Sequence, residues 1–247
     1  MLAESYLDKS IEVLKEVGQT QGKRIVDAAD LISRAIAGGN TLHVFGCGHS
    51  ALLAQEIFYR GSGLIIVNPI FAPGTLLTDH PVTITSQVER MEGYAKILLD
   101  KAPVQAGDAI IVISTGGRNA VSIEMALEAK KRGLKVIVIT STLSRDVPSR
   151  HSSGKKLQDL GDIVIDNRTV TGDAILAVEG LPMRIGPTST LAGAFILQAM
   201  VCQVIENLMK AGVEPPIAMN GNLEGADAHN AQVFDKYRDR ILYLSRG

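Results

Sequence analysis

Five short, unbroken apolar runs, at residues 42–45, 64–67, 109–113, 136–140 and 163–165, alternate with longer stretches of helical spacing. A strand that is apolar without alternation is buried on both faces, and a sheet covered on both faces by helices is a parallel one. The pattern therefore predicts an α/β fold. Helices are expected at residues 50–60, about 87–101 and 120–132, the last closed by Gly133, whose missing Cβ suits a left-handed C-cap. Before the first strand, Leu7, Ile11 and Leu14 are spaced by four and three, and Ile25, Ala28, Ile32 and Ile36 repeat the pattern after Gly18. Two amphipathic helices, forming an N-terminal helical hairpin stopped by Gly38-Gly39, are expected there. Another helix is expected from residues 188–190 to about Ala211, apolar on most faces and therefore central or at a subunit boundary. Val233, Tyr237, Ile241 and Leu244 stand at helical spacing in the tail. With no internal repeat and no low-complexity linker, the chain divides as one domain: hairpin 1–39, core 40–212 and C-terminal segment 213–247.

Composition narrows the partners. A chain of 247 residues suits one large core, and 25 Lys and Arg against 26 Asp and Glu leave no basic face to gather phosphate backbones. Aromatic residues at 4%, with no Trp, supply no stacking platform either, so nucleic acid is not an expected partner. The two cysteines, Cys47 and Cys202, make no disulfide framework, which points to a reducing compartment. Glu4 and Asp8 stand where a signal peptide would be basic and then apolar. Residues 191–205, the most apolar stretch, are interrupted by Gln198 and Gln203 and fall short of the roughly 20 needed to span a bilayer. A cytoplasmic protein without a membrane partner is expected.

Two loops can carry chemistry. Gly46-Cys47-Gly48-His49-Ser50 follows the first strand and opens a helix, gathering unpaired N–H groups and a positive dipole end where an anion can sit. Gly46, Gly48 and Ala51 also satisfy the dinucleotide pattern G-x-G-x-x-A, but that site needs an acidic residue about 20 positions on to hold the ribose, where this chain has Val67-Asn68. Ser114-Thr115-Gly116-Gly117-Arg118-Asn119 follows the third strand and precedes another helix. Either turn alone reads as helix capping; together they form a hydroxyl-rich cup at the carboxyl edge of the sheet, suited to a phosphate. Residues 68–83 and 141–161 are long and irregular, as functional or mobile loops are.

These two loops, followed by Ile185-Gly186-Pro187-Thr188-Ser189-Thr190 and a long helix, resemble the three motifs of the sugar isomerase (SIS) domain proteins, in the family's order over about residues 40–212. The resemblance implies a three-layer sandwich around a five-stranded parallel flavodoxin-like sheet, and a sugar phosphate ligand with no cofactor. It carries substrate binding to Gly48, His49, Ser50, Ser114, Thr115, Gly117, Arg118, Asn119, Ser189 and Thr190. The start of the third helix is also similar to N-acetylmuramic acid 6-phosphate etherase, through Gly186, Ser189, Thr190, Leu191 and Ala192-Gly193. Departures matter. Gly116 replaces the usual second Ser, and Arg118 stands where glucosamine-6-phosphate synthase is often acidic, offering a guanidinium to phosphate. The position of that relative's catalytic carboxylate, two before Gly186, is Arg184, so the base does not carry over.

Isomerisation and C3 elimination both begin by taking the proton at C2, work for a carboxylate or imidazole. Glu56, six residues after Ser50 on the same helix, is the expected base, with Glu179 as the alternative; Glu89 and Glu92 are expected to be solvated. His43 is expected in the core, His49 at a sugar hydroxyl, and His80 on a lid. His229, in a polar segment after the core, is the expected ring-opening group, because several relatives use a C-terminal histidine, often from a neighbouring subunit. No paired histidine spacing and no H-E-x-x-H occurs, so no metal is expected, and Cys47 reads as a small residue shaping its loop. The function expected is a metal-independent sugar-phosphate isomerase or lyase acting on a hexosamine 6-phosphate or similar ligand, as a homodimer or higher homo-oligomer. The competing expectation is a phosphosugar-sensing module without chemistry.

Overall fold

A computed structural model describes residues 1–144 and 146–244. Five strands, β1 Leu42–Gly46, β2 Val67–Ile70, β3 Ala109–Ile113, β4 Lys135–Thr140 and β5 Ile163–Asp166, form one sheet in the order β2-β1-β3-β4-β5. Every pairing is parallel. The helices are α1 Leu2–Ala37, α2 His49–Ile57, the single turn α3 Thr85–Val88, α4 Tyr94–Lys101, α5 Ala120–Lys131, α6 Ser189–Lys210 and α7 Ala226–Lys236. Strand side chains alternate between two apolar layers. Ile111 and Ile113 of β3 face the layer built with α1, α2 and α6, whereas Ile110 and Val112 face the layer built with α4 and α5. Two covered faces explain why the strands read as continuous apolar runs.

The N-terminal hairpin is not there: residues Leu2–Ala37 form one helix of 36 residues that runs straight through Gly18. A glycine costs a helix interior about 1 kcal/mol against alanine, too little to break a helix that packs along its length. Tertiary contact supplies that packing, since α1 runs parallel to α6. The Tyr6 hydroxyl donates to Pro187 O at 2.7 Å near one end, and Asn207 donates to Asp30 at 2.7 Å near the other. Gly18 lies where a Cβ would sit 3.9 Å from the Phe195 ring.

Three other boundaries move. The run at residues 64–67 is buried, yet Leu64 bridges Ile217 and Ile65 N donates to Pro216 O at 2.8 Å, so pairing with β1 begins only at Val67. β2 is an edge strand and tolerates Pro69, which has no N–H to give. The helix expected over about 87–101 is interrupted: α3 ends at Val88 and α4 begins at Tyr94, with Gly93 left-handed at φ +86°. The tail helix begins earlier than its apolar spacing suggests and ends at Lys236, while Ile241 is buried in the core without being helical. α6 is longer than the apolar stretch suggests. Its 22 residues are long and apolar enough to cross a membrane by length and composition, but here Ala192, Ile196, Leu197, Met200, Val204 and Leu208 are buried in the layer shared with α1 and α2.

Candidate functional site

β1 and β3 are neighbours, and the connections leaving their carboxyl ends go to opposite faces of the sheet, which opens a crevice between them. Each strand ends in a turn that requires glycine. A Cβ on Gly46 would lie 2.5 Å from the Ser50 carbonyl oxygen, so α2 can start immediately after β1 only with glycine there. Gly48 is left-handed at φ +54° and donates its N–H to Thr75 O at 2.8 Å. In the second turn Gly117 is left-handed at φ +56°, and a Cβ on it would press within 2.7 Å of the Thr140 hydroxyl.

Between the turns lies a cleft of about 420 Å³, lined by residues 47–50, by Ser114, Thr115, Gly116, Arg118, Asn119 and Ser122, and by Leu77, Thr85, Glu89 and Ser189. Its hydroxyls are armed to donate. Ser114 Oγ accepts the Gly117 N–H at 3.3 Å and Thr115 Oγ1 accepts from Asn167 Nδ2 at 3.1 Å, which leaves both hydroxyl protons free for a ligand. The side chains of Ser50 and His49 have no hydrogen-bond partner among the described residues. The starts of α2 and α5 border the same space. Although the N–H groups of Gly48, Ser50, Ala51 and Val121 are already bonded to backbone carbonyls, the positive ends of both helix dipoles and the free hydroxyl protons suit an anion.

Glu89 supplies the cleft's carboxylate. Its Oε2 accepts from Asn119 Nδ2, and Oε1 faces the other turn, 3.4 Å from where a Cβ on Gly48 would be. Burial raises its pKa above the ordinary carboxylate value of 4.5, against the opposing pull of the Asn119 hydrogen bond and of Arg150 and Arg90. Cys47 is buried behind it. Desolvation pushes the thiol up to about 12, outweighing its hydrogen bonds with Thr75 and Ser122, and this keeps it uncharged.

Residues 5–141 match the SIS domain family. Over nearly the whole chain the sequence is similar to UPF0309 proteins, at 42% identity to that of Oceanobacillus iheyensis (97% of this chain, 98% of the relative) and 40% to that of Shouchella clausii (98% of each). The chain belongs to the SIS domain family, in its UPF0309 branch. Among solved structures, this SIS domain protein shares its fold with a phosphoheptose isomerase from Neisseria gonorrhoeae, at TM-score 0.53 and 20% identity, covering 83% of this chain and all of that one. It is also similar to the Vibrio vulnificus NanR protein complexed with ManNAc-6P, at TM-score 0.50 and 13% identity, covering 100% of this chain and 71% of that one.

The SIS motifs bring Gly48, His49, Ser50, Ser114, Thr115, Arg118, Asn119 and Ser189 together at the cleft. Two other positions do not reach it. Gly117 is buried, and its carbonyl accepts the Leu157 N–H at 2.9 Å, so it shapes the turn. Thr190 is exposed outside the lining, and Ser189 arrives with its proton committed to Asp173. Asp173 also accepts the N–H groups of Thr188 at 2.8 Å and Ser189 at 3.0 Å, so the α6 terminus is already capped.

The expected catalytic pair lies elsewhere. Six residues at about 100° each carry Glu56 about 240° round α2 from Ser50, where it accepts from Gln198 Nε2 of α6 at 3.1 Å and pairs with Arg60 at 3.0 Å. His229 is exposed on α7 and bonds Ile217 O at 3.1 Å. Within one chain neither lines the cleft. Glu179 and His80 are exposed and also outside it, and Arg184 braces its loop by donating to Ala174 O at 3.2 Å and Ile175 O at 2.6 Å. Glu92 is exposed as expected, but it holds Ser152 through both N–H and hydroxyl. His43 is buried on the other side of the sheet's length, hydrogen-bonded to Thr41 and to Asp108, each at 3.1 Å. Asn68, where a dinucleotide site needs its acid, instead accepts from Leu242 N at 2.7 Å and donates to Arg240 O at 3.0 Å, tying down the C-terminal segment. Among the described residues no group of three or more His, Cys, Asp or Glu gathers as a metal site.

Glu89 is the site residue that periodicity hides. Read as part of a helix over 87–101 it falls on a solvated face; the helix breaks around it, and Gly93 in an otherwise regular stretch is the one signal of that break.

Proposed function

We propose that this UPF0309 protein is an enzyme that binds a hexosamine 6-phosphate or similar sugar phosphate, with the phosphate held by the hydroxyls of Ser50, Ser114 and Thr115 at the positive ends of α2 and α5, and Glu89 taking the C2 proton. The observation that carries the reading is that, among the described residues, Glu89 is the sole carboxylate lining the cleft, set between the two turns. Asn119 fixes one of its oxygens and leaves the other to act, and a raised pKa makes it a stronger base than a solvated glutamate.

Removal of the C2 proton, with a proton taken up by the C1 carbonyl oxygen, leaves the electron pair in a C1–C2 enediol, or in an enaminol where C2 carries nitrogen. Protonation at C1 with loss of the proton on the C2 heteroatom gives the ketose or the C2 imine; departure of the C3 substituent with its bonding pair gives elimination. Both outcomes use the same base, and no metal is required in either. The neighbouring fold of a phosphoheptose isomerase and of a protein complexed with ManNAc-6P supports a sugar phosphate as ligand. His49, exposed at the start of α2, is the imidazole within the cleft that can serve the ring oxygen. Glu56 and His229 would serve only a cleft completed by a second copy. Exposed Leu7 and Ile11 on α1, with Leu191 and Phe195 on the adjoining α6, are the apolar surface that favours a homodimer.

The test is C2 hydrogen–deuterium exchange, followed by NMR, over a panel of hexosamine and hexose 6-phosphates. Wild type is expected to exchange the C2 proton of at least one of them. Glu89→Gln is expected to lose exchange by two orders of magnitude or more while still binding, and Glu56→Gln to keep it. Binding without exchange in wild type would replace the enzyme with a sensor, and exchange surviving in Glu89→Gln would remove Glu89 as the base.

A further inference from the structure

Arg118 enters the cleft wall with its stem over Gly116, where a Cβ would sit 3.9 Å from Arg118 Cγ. Its Nε is buried and has no acceptor. Arg150 stands at the rim on the same side, its N–H bonded to Arg118 O at 2.8 Å and its guanidinium to Asn119 Oδ1 at 3.0 Å. Neither side chain has a carboxylate within ion-pair distance among the described residues. The nearby carboxylates are otherwise engaged, Glu89 of this wall by Asn119 and Glu92, outside the lining, by Ser152. Asn119 is the neutral spacer that permits this. Its amide nitrogen serves Glu89 and its oxygen serves Arg150, so the base and the cation feel each other's charge without forming an ion pair. The guanidiniums of Arg118 and Arg90 lie close enough to Arg150 to disfavour its charge, adding to the effect of burial. Glu89 opposes this only in part, one carboxylate against three cations on one rim, and the excess positive charge is a cost that an anionic ligand relieves.

The phosphate does not need them. A monoester is already met by three hydroxyls and by the positive ends of two helices that border the cup. We propose that Arg118 and Arg150 form a second anion subsite at the rim, so that the sugar phosphate this protein takes carries a carboxylate in addition to its phosphate. The planar guanidinium fork matches a carboxylate in a two-point contact. This inference rests on the reading of the cleft as a sugar phosphate site and adds the second charge.

The test compares two acyclic ligands that differ only at C1, 6-phosphogluconate and sorbitol 6-phosphate, by isothermal titration, with fructose 1,6-bisphosphate and inorganic phosphate alongside. Wild type is expected to bind 6-phosphogluconate at least tenfold more tightly than sorbitol 6-phosphate. Arg150→Ala is expected to erase that preference with less than a twofold change for sorbitol 6-phosphate, and Arg150→Lys to restore part of it. A preference for the bisphosphate over 6-phosphogluconate would overturn the carboxylate assignment. Equal binding of the matched pair in wild type, or a preference that survives Arg150→Ala, would overturn the subsite and leave the phosphate cup standing. Should Arg118→Ala weaken inorganic phosphate as much as 6-phosphogluconate, Arg118 belongs to the cup and the second subsite falls. Failure of every sugar phosphate to bind would remove both readings.

Discussion

The chemistry of single residues in this protein is set by which neighbour each carboxylate meets. Glu56 is neutralised by Arg60 and held by Gln198, whereas Glu89 is desolvated beside a neutral amide and keeps its basicity. The acidic limb of the pH–rate profile should therefore fall above the ordinary carboxylate value of 4.5. The sign carries over to stability. Because folding raises the pKa of Glu89, its cost to the folded state appears as pH rises from 4.5 through the folded value. Glu89→Gln should gain stability at neutral pH relative to wild type, and denaturant melts should show the gain vanishing below pH 4.5. Asp108 is the opposite case. Burial would raise its pKa, but hydrogen bonds from His43 and from the N–H groups of Thr41 and Gln105 prevail and hold it at about 2, against 3.8 unperturbed. That is roughly 2 kcal/mol of stabilisation, fully present above pH 3.8 and lost as pH falls through about 2. Asp108→Asn should lower stability at pH 7 by about that amount, and the difference from wild type should close in acid. At this scale the glycines and hydroxyls of the two turns were legible, because backbone geometry demands them. The carboxylate was not, because one-dimensional spacing cannot tell a solvated glutamate from one that a broken helix turns inward.

Elements came through the sequence in proportion to how local their causes are. The four central and far strands were readable because two-sided burial leaves continuous apolar runs, and α5 because its N-cap and Gly133 mark both ends. β2 was displaced by three residues because Leu64 to Ile66 are buried by a bridge to the C-terminal segment instead of by the ladder. α1 was divided because Gly18 looks like a stop, and only α6 lying alongside makes it one helix. Substitution there gives a clear test: Gly18→Ala should stabilise the protein by several tenths to 1 kcal/mol, since its Cβ meets only ordinary contact with Phe195. Two separate helices joined at Gly18 would instead be destabilised or indifferent. Gly46→Ala should cost more than about 2 kcal/mol and abolish ligand binding, because the Cβ would collide with the Ser50 carbonyl and force α2 away from β1. Chemical denaturation and ligand titration of the same sample separate the two effects. The polar stretch 141–161, legible only as irregular, proves to be anchored to the second turn through Leu157 N to Gly117 O and Arg150 N to Arg118 O. Its role is to back that turn from behind.

Across the whole molecule, the order β2-β1-β3-β4-β5 puts the crevice where two helices from opposite faces start, and that single topological fact brings residues 47–50 together with Ser114, Thr115, Gly116, Arg118 and Asn119 from more than sixty positions apart. Strand order depends on long-range packing, so the sequence alone showed it only through resemblance to the SIS domain proteins. The same packing leaves Leu7, Ile11, Leu191 and Phe195 uncovered on the α1–α6 face. A second copy is the expected cover, and sedimentation velocity should show a dimer that Phe195→Glu dissociates; a monomer for wild type would remove Glu56 and His229 from any shared site. The central claim, that the two turns jointly grip one phosphate ester, is tested most directly by isothermal titration of the intact protein with a hexosamine 6-phosphate and with the same sugar lacking its phosphate. Micromolar to millimolar binding of the phosphorylated sugar alone, weakened about tenfold or more by Ser114→Ala and by Ser50→Ala separately, is the result predicted. Equal affinity for the two sugars, or binding indifferent to one of the two serines, would contradict it.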